Sequence, residues 1–184
     1  MIYATTEPGE ALLLGGYTAV MDDGEMLQYG PTAEVFHAPR SLWVARAFSD
    51  PPMNLIEALL TAHVVPLTGG PALNIALPAA LRPQTRLIVG VRASALRVEP
   101  RSGDVALAGR VELAEISGSN TFVHVATAVG ELVAQLTGVH YFALGAPLML
   151  HLDPAQAYVF DASGALTCAP KRAVVQGRAG HGAH

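Results

Sequence analysis

Two hydrophobic patterns divide the chain near residue 50. Up to Phe48, short apolar runs are separated by capping and turn residues, as is typical of alternating strands and helices. Beyond Leu60, apolar and polar residues alternate over short stretches bounded by glycine and proline, which predicts β-strands. Residues 49–56 read Ser-Asp-Pro-Pro-Met-Asn-Leu-Ile, and paired prolines end a helix because they fix φ and lack backbone donors. We therefore predict a hinge at residues 49–56.

The first part, residues 1–48, is predicted to alternate between strands and helices. Residues 1–5 are apolar and predict a strand, and Thr6 is a suitable N-cap for a helix that ends at Gly15-Gly16. An Asp-Gly turn at residues 22–25 predicts a hairpin. Two short helices should follow, the second capped by Ser41.

The second part, residues 57–168, is predicted to be a small β-barrel, because closure of the sheet removes exposed edges. Gly109 predicts a bulge or a sharp bend in its strand, and residues 117–120 predict a turn. Residues 169–184 are predicted to be a flexible tail. The predicted strands cover residues 73–77, 86–91, 105–116, 121–125, 132–136, 147–152 and 158–161.

Composition narrows the function. The chain has 184 residues, 51% of them hydrophobic, so a buried core is expected. Its net charge of −4 gives no reason to expect a nucleic acid partner. The single cysteine, Cys168, excludes an internal disulfide and a cysteine-rich zinc site. No apolar run is long enough to span a bilayer, and residues 1–5 lack the basic stretch of a signal peptide, so a cytoplasmic location is expected.

The lysine content excludes one large class of enzymes. The only lysine, Lys171, stands in Ala-Pro-Lys-Arg, whereas a P-loop needs Gly-Lys-Ser/Thr to hold phosphates and Mg²⁺. The sequence also contains no HExxH motif and no Ser/His/Asp pattern. We therefore expect this chain not to be an enzyme by itself.

The first part resembles a family of transport proteins. Residues 19–24, Gly30-Pro31 and residues 43–48 follow the order found at the end of the nucleotide-binding domain of ABC importer ATPase subunits of the maltose, sugar or glycerol uptake type. The most specific match is Pro51-Pro52-Met53-Asn54, which family members carry at the same position. The resemblance implies that residues 1–48 are a C-terminal α/β fragment of that domain.

The second part resembles the C-terminal TOBE domain of the same subunits, which is an OB-like β-barrel. Its landmarks are Gly90-Val91-Arg92, residues 109–125 and residues 159–164. The Pro-Glu that follows the arginine in the family is replaced here by Ala93-Ser94. The resemblance covers residues 1 to about 164 and implies a mainly β fold, with the barrel preceded by the α/β fragment.

The resemblance also places Thr6 at the position of the family's switch histidine, which contacts the γ-phosphate of ATP. Threonine is too short to reach that phosphate and does not titrate near neutral pH. Either Thr6 is only an N-cap, or the parent ATPase site is weak and is tolerated because this subunit pairs with a different, competent one. The resemblance implies ATP and Mg²⁺ for the parent subunit, whereas no cofactor is expected for this stretch.

Other candidate sites are weaker. Arg92 and Glu115 are predicted to form an ion pair inside the barrel or at an interface. The segment Ser117-Gly118-Ser119-Asn120 is read as a hairpin turn, with an oxyanion-binding nest as the alternative. The histidines lack zinc-like spacing, so no metal is expected. The basic tail contains Lys171, Arg172 and Arg178 and is read as disordered, with contact to lipid headgroups as the alternative.

Two functional hypotheses follow. By resemblance, the chain is a regulatory and dimerisation module of an ABC importer's ATPase subunit, on the inner face of the cell membrane. Its partners would be a second ATPase subunit, identical or different, and the transmembrane permease subunits, and the transported solute would be a sugar, polyol or glycerol-type compound. The alternative is a β-barrel that senses a small ligand or an oxyanion. A free-standing role is disfavoured, because a strand at residues 1–5 would lack the sheet around it.

Overall fold

In a computed structural model, which describes residues 1–61, 64–79 and 81–170, a small α/β segment precedes a β-barrel. The α/β segment consists of one helix, a hairpin and two further short helices. These elements are α1 (Pro8–Leu14), β1 (Tyr17–Asp22), β2 (Glu25–Pro31), α2 (Thr32–His37) and α3 (Leu42–Ala47). Their apolar faces enclose a small core of Val20, Val35, Val44 and Phe48.

The start of the chain differs from the prediction. Residues 1–5 form no strand and are exposed, since no strand of the described chain pairs with them and an unpaired strand leaves its backbone groups unsatisfied. The N-cap of α1 is Glu7 and not Thr6, and its side chain makes no capping hydrogen bond. Instead, the Glu7 N–H donates to the hydroxyl of Thr5 at 3.0 Å.

The remaining predictions for the α/β segment are confirmed. Gly15 ends α1 at φ +64° and donates its N–H to the carbonyl of Ala11. The β1–β2 hairpin turns at Asp23-Gly24, where both residues adopt the positive φ that such turns need. The hydroxyl of Ser41 accepts the Val44 N–H and caps α3.

The barrel consists of two antiparallel sheets. The five-stranded sheet has the order β10-β9-β8-β11-β7, and the four-stranded sheet has the order β13-β12-β6-β3. A short β4–β5 ladder lies beside β3. The strands are β3 (Asn54–Leu59), β4 (Val65–Pro66), β5 (Ala72–Leu73), β6 (Arg86–Val91), β7 (Leu96–Arg97), β8 (Val105–Ser117), β9 (Asn120–Thr127), β10 (Gly130–Thr137), β11 (Pro147–Leu152), β12 (Tyr158–Asp161) and β13 (Leu166–Cys168).

One continuous core lies between the two sheets. Leu87, Leu96, Leu132, Leu150 and Leu152 are among its fully buried members, and they come from strands of both sheets. The predicted fold class, a mainly β chain with an OB-like barrel after an α/β segment, is therefore confirmed.

Some barrel details differ from the prediction. Residues 74–77 are not a strand, because β5 ends at Leu73; Ile75 and Leu77 pack on the core without forming a ladder. Gly109 is not the bulge, since the register of β8 and β9 shifts between Val111 and Leu113. Gly109 instead permits close packing, because a Cβ there would lie 2.5 Å from the carbonyl oxygen of Ala126.

Among the described residues, no helix is long and apolar enough to cross a membrane. The predicted tail is only partly described, and Lys171, Arg172 and Arg178 lie outside the described residues, as do His181 and His184. The domain boundaries at residues 48, 56 and 168 stay a prediction.

Candidate functional site

The seam between the two parts, which we define as residues 48–54, is packed tightly against the barrel. Met53 is 4% exposed and lies beneath Gly90 of β6. A Cβ on Gly90 would lie 2.5 Å from the Met53 sulfur and 2.9 Å from Cε2 of Phe160. Since real Cβ atoms do not approach so closely, only glycine fits at position 90 without displacing its neighbours.

Asn54 joins the two sheets of the barrel. Its Nδ2 donates to the carbonyl of Val91 at 3.1 Å and to the carbonyl of Val133 at 2.9 Å, and the Val133 N–H donates to its Oδ1 at 2.7 Å. The residue is 7% exposed, so these bonds satisfy polar groups that water does not reach freely. Val91 belongs to the four-stranded sheet and Val133 to the five-stranded sheet, so one amide fixes their separation.

Arg92, the residue after β6, connects the barrel to the α/β segment. Its Nη1 donates to the carbonyl of Phe48 and to the hydroxyl of Ser49, both at 2.7 Å, and its Nη2 donates to the carbonyl of Phe36 at 2.8 Å. The guanidinium carbon lies 3.9 Å from the centre of the Phe36 ring, a cation–π distance. Arg92 therefore holds the ends of α2 and α3 against the barrel.

Arg92 and Glu115 form no ion pair with each other within the described chain, and an ion pair across an interface stays a prediction. Arg92 is half-buried among carbonyl groups, whereas Glu115 is exposed on β8, opposite Phe122 of β9. The ion pairs among the described residues are Arg97–Asp104 and His124–Glu131. The carbonyl partners of Arg92 within the chain were not predicted, because neutral main-chain groups leave no charge pattern in the sequence.

The segment Ser117-Gly118-Ser119-Asn120 forms the tight turn between β8 and β9. Gly118 has φ +59°, Asn120 pairs with Ser117, and the Ser119 carbonyl accepts the N–H of Gly138. The segment therefore has the geometry of a hairpin turn. Its role as an oxyanion site stays an untested hypothesis.

An exposed apolar patch lies beside this turn. Residues 112–117 of β8 pair with β9 on one side only, because β11 pairs with residues 105–110. The loop of residues 138–146 starts at this hairpin, where the His140 N–H donates to Thr121, and returns to β8, where the Gly145 N–H donates to Val111. The side chains of this barrel patch, 47–87% exposed, are Ile116, Val139, Tyr141 and Leu144. Leu113 lies three positions before Ile116 in the strand and therefore faces the opposite side of the sheet.

Two aspartates of the barrel have lowered pKa values. The pKa of Asp104 lies below its ordinary value because the Arg97 guanidinium hydrogen-bonds its carboxylate, which outweighs the opposing effect of burial. The pKa of Asp161 is lowered chiefly by the hydroxyl of Ser163 and by backbone N–H groups of the turn at residues 163–165. In their charged forms, the carboxylates of Asp104 and Asp161 stabilise loops of the barrel.

The remaining candidates have local roles. Thr6 is exposed and lies two residues before α1. The Nδ1 of His124 contacts Glu131 at 2.8 Å across the β9–β10 hairpin, and Nε2 of His140 contacts the carbonyl of Thr137 at 2.9 Å. Within residues 1–61, 64–79 and 81–170, no group of three or more His, Cys, Asp and Glu residues is placed to hold a metal ion.

A cavity of about 500 Å³ opens beside Arg92. It lies between the first turn of α1, the seam and the barrel, where Ala93, Ser94 and Gln135 form its third wall. No sequence pattern indicates this cavity, because its walls come from segments up to about 130 residues apart in the chain.

Comparisons with known proteins agree with these landmarks. Residues 89–160 match the TOBE domain family. The chain is 29% identical to the alpha-glucoside transport ATP-binding protein AglK of Rhizobium meliloti, over 89% of this chain and 47% of the relative. It is 32% identical to the sn-glycerol-3-phosphate import ATP-binding protein UgpC of Chromohalobacter salexigens, over 89% of this chain and 45% of the relative.

The xylose/arabinose import ATP-binding protein XacK of Haloferax volcanii is 31% identical over 74% of this chain and 36% of the relative. The chain thus spans less than half the length of the relatives it matches. Among solved structures, the cytoplasmic molybdate-binding protein ModG has a TM-score of 0.47 at 18% identity, over 58% of this chain and 94% of that one.

Proposed function

Since this chain carries a TOBE domain and is related over most of its length to ATP-binding proteins of sugar and glycerol-3-phosphate ABC importers, we propose that it is the regulatory and dimerisation region of such an ATPase subunit. The observation that carries the proposal is that the sequence motifs typical of the family coincide with the packed seam of the structure. The Pro-Pro-Met-Asn segment that marks the family forms the packed seam, and Arg92 of the Gly-Val-Arg landmark holds it.

The barrel patch supplies the dimer contact in this proposal. Two copies that meet at Ile116, Tyr141 and Leu144 would bury apolar side chains that water now surrounds. The unpaired side of residues 112–117 also offers backbone donors and acceptors to a second copy. A contact of this kind would keep the two subunits together while their nucleotide-binding parts open and close.

The seam transmits force in this proposal. Helix α3 ends at Ala47, and within the next seven residues Met53 and Asn54 are fixed in the barrel, so little free chain remains between them. Movement of the nucleotide-binding part would therefore be passed directly to the barrel. ATP and Mg²⁺ would bind in the parent subunit, which would contact the permease subunits at the inner face of the membrane.

The last part of the proposal concerns the ATP site and the threonine at position 6. We expect a weak ATP site on this subunit and a stronger one on a different partner subunit, because Thr6 cannot contribute the imidazole that the family uses there. The test is the substitution Thr6→His in the assembled, reconstituted transporter, with ATP hydrolysis measured. An increase is expected, and an unchanged rate would contradict this part alone.

Solution mass tests the dimerisation proposal. Sedimentation velocity of the 184-residue chain at increasing concentration should show a monomer–dimer equilibrium without added ligand. A monomer throughout the micromolar to sub-millimolar range would contradict dimerisation through the barrel. It would leave the family relationship unaffected, since that rests on the sequence matches.

A further inference from the structure

The cavity beside Arg92 has the size of a small-molecule site. Its volume of about 500 Å³ lies within the range that ligand pockets have. Polar residues line it on three sides: Glu7 at the start of α1, Asp50 in the seam, and Ser94 and Gln135 in the barrel. Convergent polar groups beside apolar side chains, here Leu12 and Pro51, are typical of sites that orient a small molecule.

The charges of the lining exclude an anion. The carboxylates of Glu7, Glu10 and Asp50 face the same cavity as the single guanidinium of Arg92. Four of the five N–H groups of Arg92 already donate to protein oxygens, so it has little capacity left for a ligand. Phosphate, sulfate and molybdate would therefore meet an excess of negative charge.

The lining instead offers hydrogen-bond acceptors. Within the described chain, the carboxylates of Glu7 and Asp50 accept no hydrogen bond, whereas Glu10 accepts from Tyr3 and Thr5. Ser94 and Gln135 add groups that both donate and accept. A metal ion does not account for these acceptors, since the described residues contain no cluster that is placed to coordinate one.

We propose that this cavity binds a neutral, polyhydroxylated molecule of the size of a mono- or disaccharide. Adjacent hydroxyl groups would donate to the carboxylates of Asp50 and Glu7, and such charge-assisted bonds are the stronger kind. The amide of Gln135 would bind a further hydroxyl, and the C–H face of the ligand would lie on Leu12. Because the cavity touches both the α/β segment and the barrel, an occupied site would tighten the seam.

Isothermal titration of the full chain with maltose, xylose and glucose, and separately with spermidine and phosphate, tests the proposal. At least one of the three polyols should bind saturably at one site per chain. Asp50→Asn and Glu7→Gln should each weaken that binding by about tenfold, since each removes charge-assisted hydrogen bonds. Glu99→Gln, at an exposed carboxylate outside the cavity, is the matched control and should leave the affinity unchanged.

A second variant tests whether the ligand occupies the cavity itself. Ser94 is exposed at the mouth of the cavity, so Ser94→Phe should fill the space without unfolding the barrel and should abolish binding. The proposal is overturned if none of the polyols binds, if only spermidine or phosphate binds, or if binding survives Ser94→Phe. Binding is measured on the isolated chain, so these results are independent of the importer proposal.

Discussion

The side chain of Asn54 and the backbone of Val133 form a reciprocal pair of hydrogen bonds at 2.7 and 2.9 Å, across the gap between the two sheets of the barrel. Asn54→Ala would leave the part-buried N–H of Val133 and the carbonyl groups of Val91 and Val133 without this partner. We expect a loss of about 2–4 kcal/mol in the free energy of unfolding, measured by urea titration. Asn74→Ala, at an exposed loop position, is the control and should change it by less than about 0.5 kcal/mol.

Gly90 is expected to tolerate no side chain. Gly90→Ala would push a methyl group into Met53 and Phe160, and overpacking of this kind costs about 1–3 kcal/mol. The double variant with Met53→Ala should lose less than the sum of the two single losses, because the shortened side chain makes room. Gly9→Ala, on an open face of α1, should have no destabilising effect. Additive losses in thermal unfolding would contradict the contact.

Replacing Arg92 should loosen the seam but leave the barrel folded. In Arg92→Lys the charge is kept but the planar fork that reaches Phe36, Phe48 and Ser49 is lost. Hydrogen exchange should therefore increase in residues 32–49 and stay unchanged in residues 105–137. Arg86→Lys, at an exposed position of β6, is the matched control. Equal exchange in both variants would show that Arg92 does not hold the two parts together.

A charge in the barrel patch should separate the proposed dimer. Ile116→Glu places a carboxylate within this patch, and its desolvation in the contact should raise the dissociation constant at least tenfold. Leu59→Glu, which is similarly exposed on the other sheet, is the control. Analytical ultracentrifugation distinguishes the outcomes, and an equal effect of both substitutions would point to nonspecific association.

Acid should destabilise the barrel partly through Asp104. Its pKa is lower in the folded chain than its ordinary value of about 3.9, so the charged form contributes stability above that value, and this is lost as the pH falls through the folded pKa. Asp104→Asn should therefore be less stable than the native chain at pH 7, with the difference shrinking toward pH 3. Urea midpoints at both pH values measure this, and a difference that does not change with pH would contradict it.

A strand of the barrel was predictable where its hydrophobic pattern fits the strands that it pairs with. Residues 86–91 are strand in both sequence and structure because their continuous apolar run lies between two neighbouring strands. The alternation of apolar and polar residues at 73–77 predicted a strand that is not formed, since Ile75 and Leu77 pack on the core without a backbone partner. A pairing partner is a property of the whole fold and is not visible in five residues.

The site was less predictable than the fold. Pro51-Pro52-Met53-Asn54 was recognisable as a motif, but the sequence does not show why these residues are needed. Met53 packs against Gly90 and Asn54 donates to the carbonyl of Val133, and both partners lie far along the chain. Likewise, Arg92 binds main-chain carbonyls, and every residue has one, so no sequence pattern identifies them.

The contacts of Arg92 and Asn54 limit which segment of this chain can be transferred between genes as a stable unit. A gene rearrangement that transferred residues 57–168 alone would remove Asn54 from between the sheets and would strip the guanidinium of Arg92 of the carbonyls of Phe36 and Phe48. The unit that can be exchanged between proteins therefore starts no later than α2. Recombination should favour breakpoints before Thr32, although the composition of the chain changes about twenty residues later.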